Sequence, residues 1–228
     1  MGSKGSDVNE NVKMAAGDAA ERDTRQHALR PGQPTHYPDR LRLPLSFDTD
    51  LLAADLALMS ATPWIDHFVT QNYEGSWSAI PLRAAAGARH PIKMIYSDPT
   101  ATEFEDTPML AACPYFRTVL ASFACPLQAV RLMRLTPGSI IKEHTDHDLR
   151  FEQGSVRLHI PVITNPNVEF ELNRRRVILD AGSCWYLRLS DPHRVANRGK
   201  IDRVHLVIDA VVNDWVASLF TDAMQGQG

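Results

Sequence analysis

The sequence predicts a mainly β fold of sandwich or jelly-roll type, with flanking helices on its N-terminal side. Three observations carry this. From Gln128 onward, short strand-like runs follow one another closely, separated by turn residues. Two of those runs alternate apolar and polar residues with the period of a strand. The chain has 228 residues, 44% of them hydrophobic, which is enough for one sizeable core and suits one domain.

Residues 1–36 are polar and carry few large apolar groups. They are expected to form a flexible N-terminal segment; a helix over Asn11–Leu29 would present little but alanine on its apolar face. A single domain is expected over 37–228, with helical and strand support in 37–127 and a jelly-roll core in 128–215. Leu41–Phe47 reads as the first strand. Asp48–Ser60 reads as a helix capped by Asp48 or Thr49, with Leu52, Leu56 and Met59 at helical spacing. Tyr73–Arg83 reads as a strand or strand pair with a glycine bend. Pro108 and Pro114 each stand where a short helix can start. Phe116, Val119, Leu120 and Phe123 give the second of these an apolar stripe.

The later strands are read at Gln128–Leu135, Ser155–Thr164, Val168–Asn173, Arg176–Leu179, Ser183–Leu189 and Arg203–Val212. They are broken at Pro137-Gly138, Asn165-Pro166-Asn167, Ala181-Gly182 and Asn197-Arg198-Gly199. In the second run Val156, Leu158 and Ile160 face one way, Arg157 and His159 the other. In the last, Val204, Leu206 and Ile208 face one way, Arg203, His205 and Asp209 the other. That polar side suits the lining of a barrel mouth, where anionic ligands need guanidinium partners. Trp77, Trp185 and Trp215 are assigned to the core. Arg174-Arg175-Arg176 reads as a solvated hairpin tip.

Composition narrows the function. A formal net charge of -3 implies no broad affinity for nucleic acid or membrane surfaces. Cys113, Cys125 and Cys184 are odd in number and lack C-x-x-C spacing, which argues against a disulfide framework or zinc cluster and for a reducing compartment. No apolar run is long enough to span a membrane, and the N-terminus lacks a secretory h-region. A cytoplasmic location is expected.

The chemistry centres on His144-Thr145-Asp146 and the distant His193. Two imidazoles and one carboxylate form the facial triad that binds Fe(II) on one side and leaves the opposite face open. Two positions apart on an extended strand, His144 and Asp146 share a side. His147 and Asp148 compete with them on spacing alone. Arg203, on the following strand, suits a bidentate clamp on the distal carboxylate of 2-oxoglutarate. Arg157 and His159 suit the co-substrate's other carboxylate or one on the substrate. No Ser-His-Asp or Cys-His arrangement stands out.

Taken in order, R-L-M-R-L-T-P-G (Arg131–Gly138), H-T-D (His144–Asp146), R-L-H-I-P-V (Arg157–Val162), W-Y-L (Trp185–Leu187), H-R-V-A-N-R-G (His193–Gly199) and D-R-V-H-L-V-I-D (Asp202–Asp209) resemble the aspartyl/asparaginyl β-hydroxylase family. N-Y-E-G-S-W-S-A-I-P-L-R (Asn72–Arg83) is similar to the N-terminal piece of its bacterial members, the proline hydroxylases. The resemblance spans about 43–220. It implies a double-stranded β-helix, a jelly-roll or cupin-like barrel, holding Fe(II) with 2-oxoglutarate as co-substrate and O2 as oxidant. By the same resemblance, His144, Asp146 and His193 match the iron ligands. Arg203 matches the arginine on the co-substrate's distal carboxylate, and His159 lies near its chelating end. Arg157 and Arg83 are assigned to substrate binding. The implied reaction hydroxylates an unactivated C–H of an amino acid, free, peptidyl or carrier-linked, and releases succinate and CO2. The rival reading is a jelly-roll protein that binds metal or ligand without oxidation. A further rival is another metal-using jelly-roll enzyme, such as an isomerase or thiol dioxygenase, which would need no Arg203.

Overall fold

The computed structural model describes residues 36–146 and 149–226. The segment expected at 1–36 therefore lies outside the described residues apart from His36, as do His147 and Asp148. The strands are β1 (Arg40–Ser46), β2 (Ile65–Asp66), β3 (Tyr73–Glu74), β4 (Trp77–Ala85), β5 (Phe104–Asp106), β6 (Leu127–Leu135), β7 (Ile140–His144), β8 (Ser155–Ile163), β9 (Val168–Leu172), β10 (Arg175–Val177), β11 (Ser183–Leu187), β12 (His193–Asn197) and β13 (Arg203–Val211). The α-helices are α1 (Thr49–Leu58), α2 (Pro91–Ile95), α3 (Pro108–Ala111), α4 (Pro114–Ala121) and α5 (Asp214–Gln225).

Among the described residues the strands form two antiparallel sheets. The larger runs β1-β11-β8-β13-β6-β4-β2, with β5 on β4; the smaller runs β10-β9-β12-β7-β3. This interleaving of strands distant in sequence is the double-stranded β-helix, and the mainly β expectation holds. The larger sheet has two buried faces with different partners. Val156, Leu158, Ile160, Val204, Leu206 and Ile208 belong to one core, shared with α1, α4 and α5. Trp77, Leu135 and Leu187 turn the other way and meet Ile141, Phe170, Leu172 and Val195 of the smaller sheet. The alternating polar residues of β8 and β13 therefore face the space between the sheets, and Arg203, His205 and Asp209 are buried there.

The local elements follow from their residues. Asp48 caps α1, its side chain accepting from Asp50 N and Leu51 N at 2.9 and 3.0 Å. Proline opens both α3 and α4. The buried Asp55 of α1 accepts from Phe116 N at 2.7 Å, satisfying an amide that α4 cannot. The glycine bend is Gly75, at φ +81, where a Cβ would lie 2.3 Å from Ser139 Oγ. That close approach seats the β3–β4 bend on the turn leading into β7. Asn173 and Arg174, both at positive φ, make the two-residue turn between β9 and β10, so the arginine cluster does sit at a hairpin.

Among the strands and α-helices, β2, β5, β7, β12, α2 and α5 escaped the periodicity reading. β7 and β12 are five residues each and lie in the smaller sheet, where polar residues interrupt the alternation. α2 is a single proline-led turn and a half. α5 carries helix signals that the sequence reading passed over: Asn213 caps it by accepting from Val216 N at 3.0 Å, and Val216, Ala217, Leu219, Phe220 and Ala223 form its buried stripe. Among the described residues no helix is long and apolar enough to cross a membrane. The three cysteines are free, and burial pushes the thiols of Cys113 and Cys125 up to about 11.

Candidate functional site

β7 ends on His144 and β12 begins on His193, and the two residues are register partners across the β7–β12 pair. Their ring centroids lie 4.3 Å apart. Asp146 follows in the loop beyond β7, where its amide donates to Leu189 O at 2.8 Å. It does not continue the strand, as the shared-side argument assumed; the chain turns and brings the carboxylate back. His144 Nε2 and Asp146 Oδ1 are 3.6 Å apart. One ligand atom from each of His144, Asp146 and His193 lies within 4.8 Å of the others.

Both imidazoles are held by their far nitrogen. His144 Nδ1 bonds Lys142 O at 2.8 Å, and His193 Nδ1 bonds Asp191 O at 3.0 Å. A carbonyl only accepts, so each Nδ1 carries the proton and each Nε2 presents a lone pair. Burial holds His193 uncharged, its pKa pulled down to about 4. The ligand set suits a divalent metal that accepts imidazole and carboxylate together.

The three residues line a cavity of about 510 Å³ between the sheets, together with His67, Trp77, Arg131, Arg157, His159 and Arg203. Behind Asp146 stands a buried ionic cluster. Arg157 Nη1 donates to Asp146 Oδ2 at 2.5 Å, while its Nε and Nη2 donate to the two oxygens of Asp209 at 2.6 and 2.9 Å. Asp209 also accepts from Arg131 Nη2 and from Ser97 Oγ. Burial alone would lower the Arg157 pKa, but the Asp209 and Asp146 carboxylates more than offset this and raise it. Burial would raise Asp209, yet Arg131 and Arg157 hold it well below the carboxylate range.

The other end of the cavity has the opposite electrostatics. Arg203 is 3% exposed. Its Nη2 donates to His205 Nδ1 at 2.8 Å, and its ring neighbour is Phe170, 6.0 Å from the guanidinium carbon. Its Nε has no partner among the described residues, nor do His159 Nε2 and His205 Nε2. No carboxylate among the described residues compensates Arg203, so burial pulls it down to about 9. Burial and the Arg203 charge keep His159 and His205 neutral, well below the usual imidazole range.

Of the residues singled out in the sequence, His144, Asp146, His193, Arg203, His159 and Arg157 meet in one cavity. The two residues assigned to substrate binding have partners within the fold. Arg83 is not among the cavity-lining residues. It pairs in register with Asp106 of β5 and binds that carboxylate at 2.5 Å, Phe104 O at 2.8 Å and Leu127 O at 3.1 Å. Arg157 lines the cavity, and its guanidinium binds Asp146, Asp209 and Ser97. Trp77, assigned to the core, is both core and wall: His67 stacks on it with centroids 3.5 Å apart. Arg131, Ser97 and His67 were not identified. Asp209 and Arg131 carried a signal, since each is a charge with apolar residues on both sides in its strand.

Comparison with known proteins places the chain in a family. The family model described as Aspartyl/Asparaginyl beta-hydroxylase matches residues 50–212. The L-proline cis-4-hydroxylase of Rhizobium meliloti (strain 1021) is 25% identical over 177 residues, covering 77% of this chain and 60% of that protein. The L-proline cis-3-hydroxylase 2 of a Streptomyces species is 24% identical over 168 residues, covering 72% and 57%. The matches thus span about 60% or less of these relatives' own length. Among solved structures, an oxidoreductase of the 2OG-Fe(II) oxygenase family from Burkholderia pseudomallei has a TM-score of 0.48 at 16% identity, covering 76% of this chain and 85% of that one. That likeness is too distant to inform the site.

Proposed function

Because the chain belongs to the aspartyl/asparaginyl β-hydroxylase family, we propose that it is an Fe(II)- and 2-oxoglutarate-dependent dioxygenase. In this proposal it hydroxylates an unactivated C–H bond of an amino acid or amino-acid-derived group. One observation carries the reading. A convergent His-Asp-His set and a buried arginine without a counter-charge line the same cavity. A ligand set alone would fit many metal proteins. The unpaired guanidinium adds a requirement for an anionic guest, and a dicarboxylate that also reaches the metal meets both.

In this proposal His144, Asp146 and His193 hold Fe(II). Their Nδ1–carbonyl bonds fix both rings, so the ligands are oriented before the metal arrives. Arg203 takes the distal carboxylate of 2-oxoglutarate, and the unpartnered nitrogens of His159 and His205 lie beside it. When bound, Fe(II) and 2-oxoglutarate supply the activation of O2 that places one oxygen atom in a C–H bond, with release of succinate and CO2. The protein's part is to orient the target carbon and exclude water between the sheets. Relatives named as L-proline cis-4- and cis-3-hydroxylases support a small amino-acid substrate.

The test is succinate formation from 2-oxoglutarate with Fe(II) and O2, across a panel of amino acids and short peptides read by mass spectrometry for a gain of one oxygen. Turnover in the wild type should fall more than about 100-fold in His144→Ala, beyond what loss of an outer partner of a ligand costs. Metal binding without any succinate release would instead favour the binding-protein reading.

A further inference from the structure

Asp209 touches no metal ligand, yet the guanidinium that holds Asp146 is itself held by Asp209. Arg157 meets Asp209 through two nitrogens, Nε on Oδ1 at 2.6 Å and Nη2 on Oδ2 at 2.9 Å. A two-point contact of a planar guanidinium with a carboxylate leaves the guanidinium no rotational freedom. The direction of the remaining nitrogen, Nη1, is therefore set by Asp209, and Nη1 is the atom that binds Asp146 Oδ2 at 2.5 Å.

Ser97, in the segment just after α2, completes the lock. Its hydroxyl donates to Asp209 Oδ2 at 2.7 Å and accepts from Arg157 Nη2 at 2.9 Å and Arg131 Nη1 at 2.7 Å. Arg131 Nη1 also donates to Ile95 O at 2.9 Å, so the cavity-lining turn Ile95–Ser97 is tied to the same carboxylate. Arg131, Asp209 and Arg157 are buried or nearly so, and their geometry is not averaged by solvent.

We propose that Asp209, with Ser97, is a positioning residue of the metal centre. By aiming Arg157 at Oδ2 of Asp146, it leaves Oδ1, the oxygen 3.6 Å from His144 Nε2, as the single oxygen that Asp146 gives the metal. A carboxylate bound through one oxygen keeps a coordination position open that a two-oxygen mode would close. The inference rests on His144, Asp146 and His193 being the metal ligands. Its opposite is a cluster that stabilises the fold and leaves the metal indifferent.

The experiment titrates Co(II) into metal-free wild type, His144→Ala, Asp209→Asn and Ser97→Ala, reading affinity by calorimetry and coordination by the visible Co(II) bands. His144→Ala should lose the site. Asp209→Asn should weaken Co(II) by about 10- to 100-fold, as loss of an outer partner does. It should also change band intensity, because Asp146 becomes free to bind through both oxygens. Ser97→Ala should move both readouts the same way, by about tenfold or less. Wild-type affinity and bands in Asp209→Asn and Ser97→Ala, with the site lost in His144→Ala, overturn the proposal and leave the metal assignment standing. Undiminished binding by His144→Ala overturns the metal assignment itself, and this proposal with it. If Asp209→Asn does not fold, Ser97→Ala decides alone: moved readouts support the proposal, and unmoved ones overturn it.

Discussion

Arg157 and Arg203 stand on the adjacent strands β8 and β13 and line one cavity, but the fold treats them in opposite ways. Arg157 is in register with Asp209 and is bound to two carboxylates, which raise its pKa. Arg203 sits beside neutral imidazoles and an aromatic ring with one nitrogen unpartnered, and burial lowers it to about 9. The first is an internal part of the fold. The second is the one we propose as a binding element, with its partner coming from outside. Burial of a charge therefore does not tell structure from function; what its neighbours offer does.

The sharpest way to break that comparison is to remove each cation in the metal-free protein. Arg157→Met should destabilise by about 3 kcal/mol, because it leaves the half-buried Asp146 without its cation and the buried Asp209 with Arg131 alone. Arg203→Met should be no less stable than the wild type, since it removes a charge that nothing in the protein balances. Denaturant midpoints at pH 7 measure both, and equal losses would erase the distinction. Binding should invert the order. In Arg203→Met the affinity for 2-oxoglutarate should fall by about 30-fold or more, the cost of truncating one side of a buried charge pair. A 2-oxoglutarate concentration of about 100 times the wild-type Kd stabilises the wild type by about 2.7 kcal/mol, and at that same concentration a variant weaker by about 30-fold should gain only about 0.9 kcal/mol.

The two ends share a dependence on uncharged imidazoles. His67 and His193 are pulled down to about 4 by burial, from an ordinary value of 6.5. Between those values the unfolded chain binds protons that the folded one refuses. Stability of the metal-free protein therefore falls as pH drops from 6.5 toward 4, by up to about 1.4 kcal/mol per unit for each ring. Unfolding free energies from urea titrations at pH 7 and pH 5 should differ by about 4 kcal/mol from these two rings alone; a flat profile would mean that these rings are hydrated. The smallest effect is expected at Arg83. Arg83→Ala should leave the KM for 2-oxoglutarate and for substrate unchanged and cost about 1 kcal/mol of stability or less, as a partly exposed ion pair does. A KM that rises would return Arg83 to the site.

Much of the site was legible because its chemistry demands particular residue types. His144, Asp146, His193 and Arg203 were chosen for what imidazole, carboxylate and guanidinium do, and all four line one cavity. The alternation of β8 and β13 was legible because side chains on a strand change face at every residue. The N-cap at Asp48 and the proline-led α3 and α4 were legible for the same local reason. β7 and β12, which carry the two histidines, were harder: each is five residues long and mostly polar, so periodicity had little to act on.

What the residues alone determined is the set of groups available and the face of the strand on which each stands, because both are properties of neighbours along the chain. Which groups are free was decided only when strands distant in sequence came into register. Asp209 lies 52 positions from Arg157 and occupies it; Asp106 occupies Arg83; Arg203 meets no acid. An arginine's role depends on the carboxylates within a few ångströms, and β-sheet register, which no local pattern encodes, places them there.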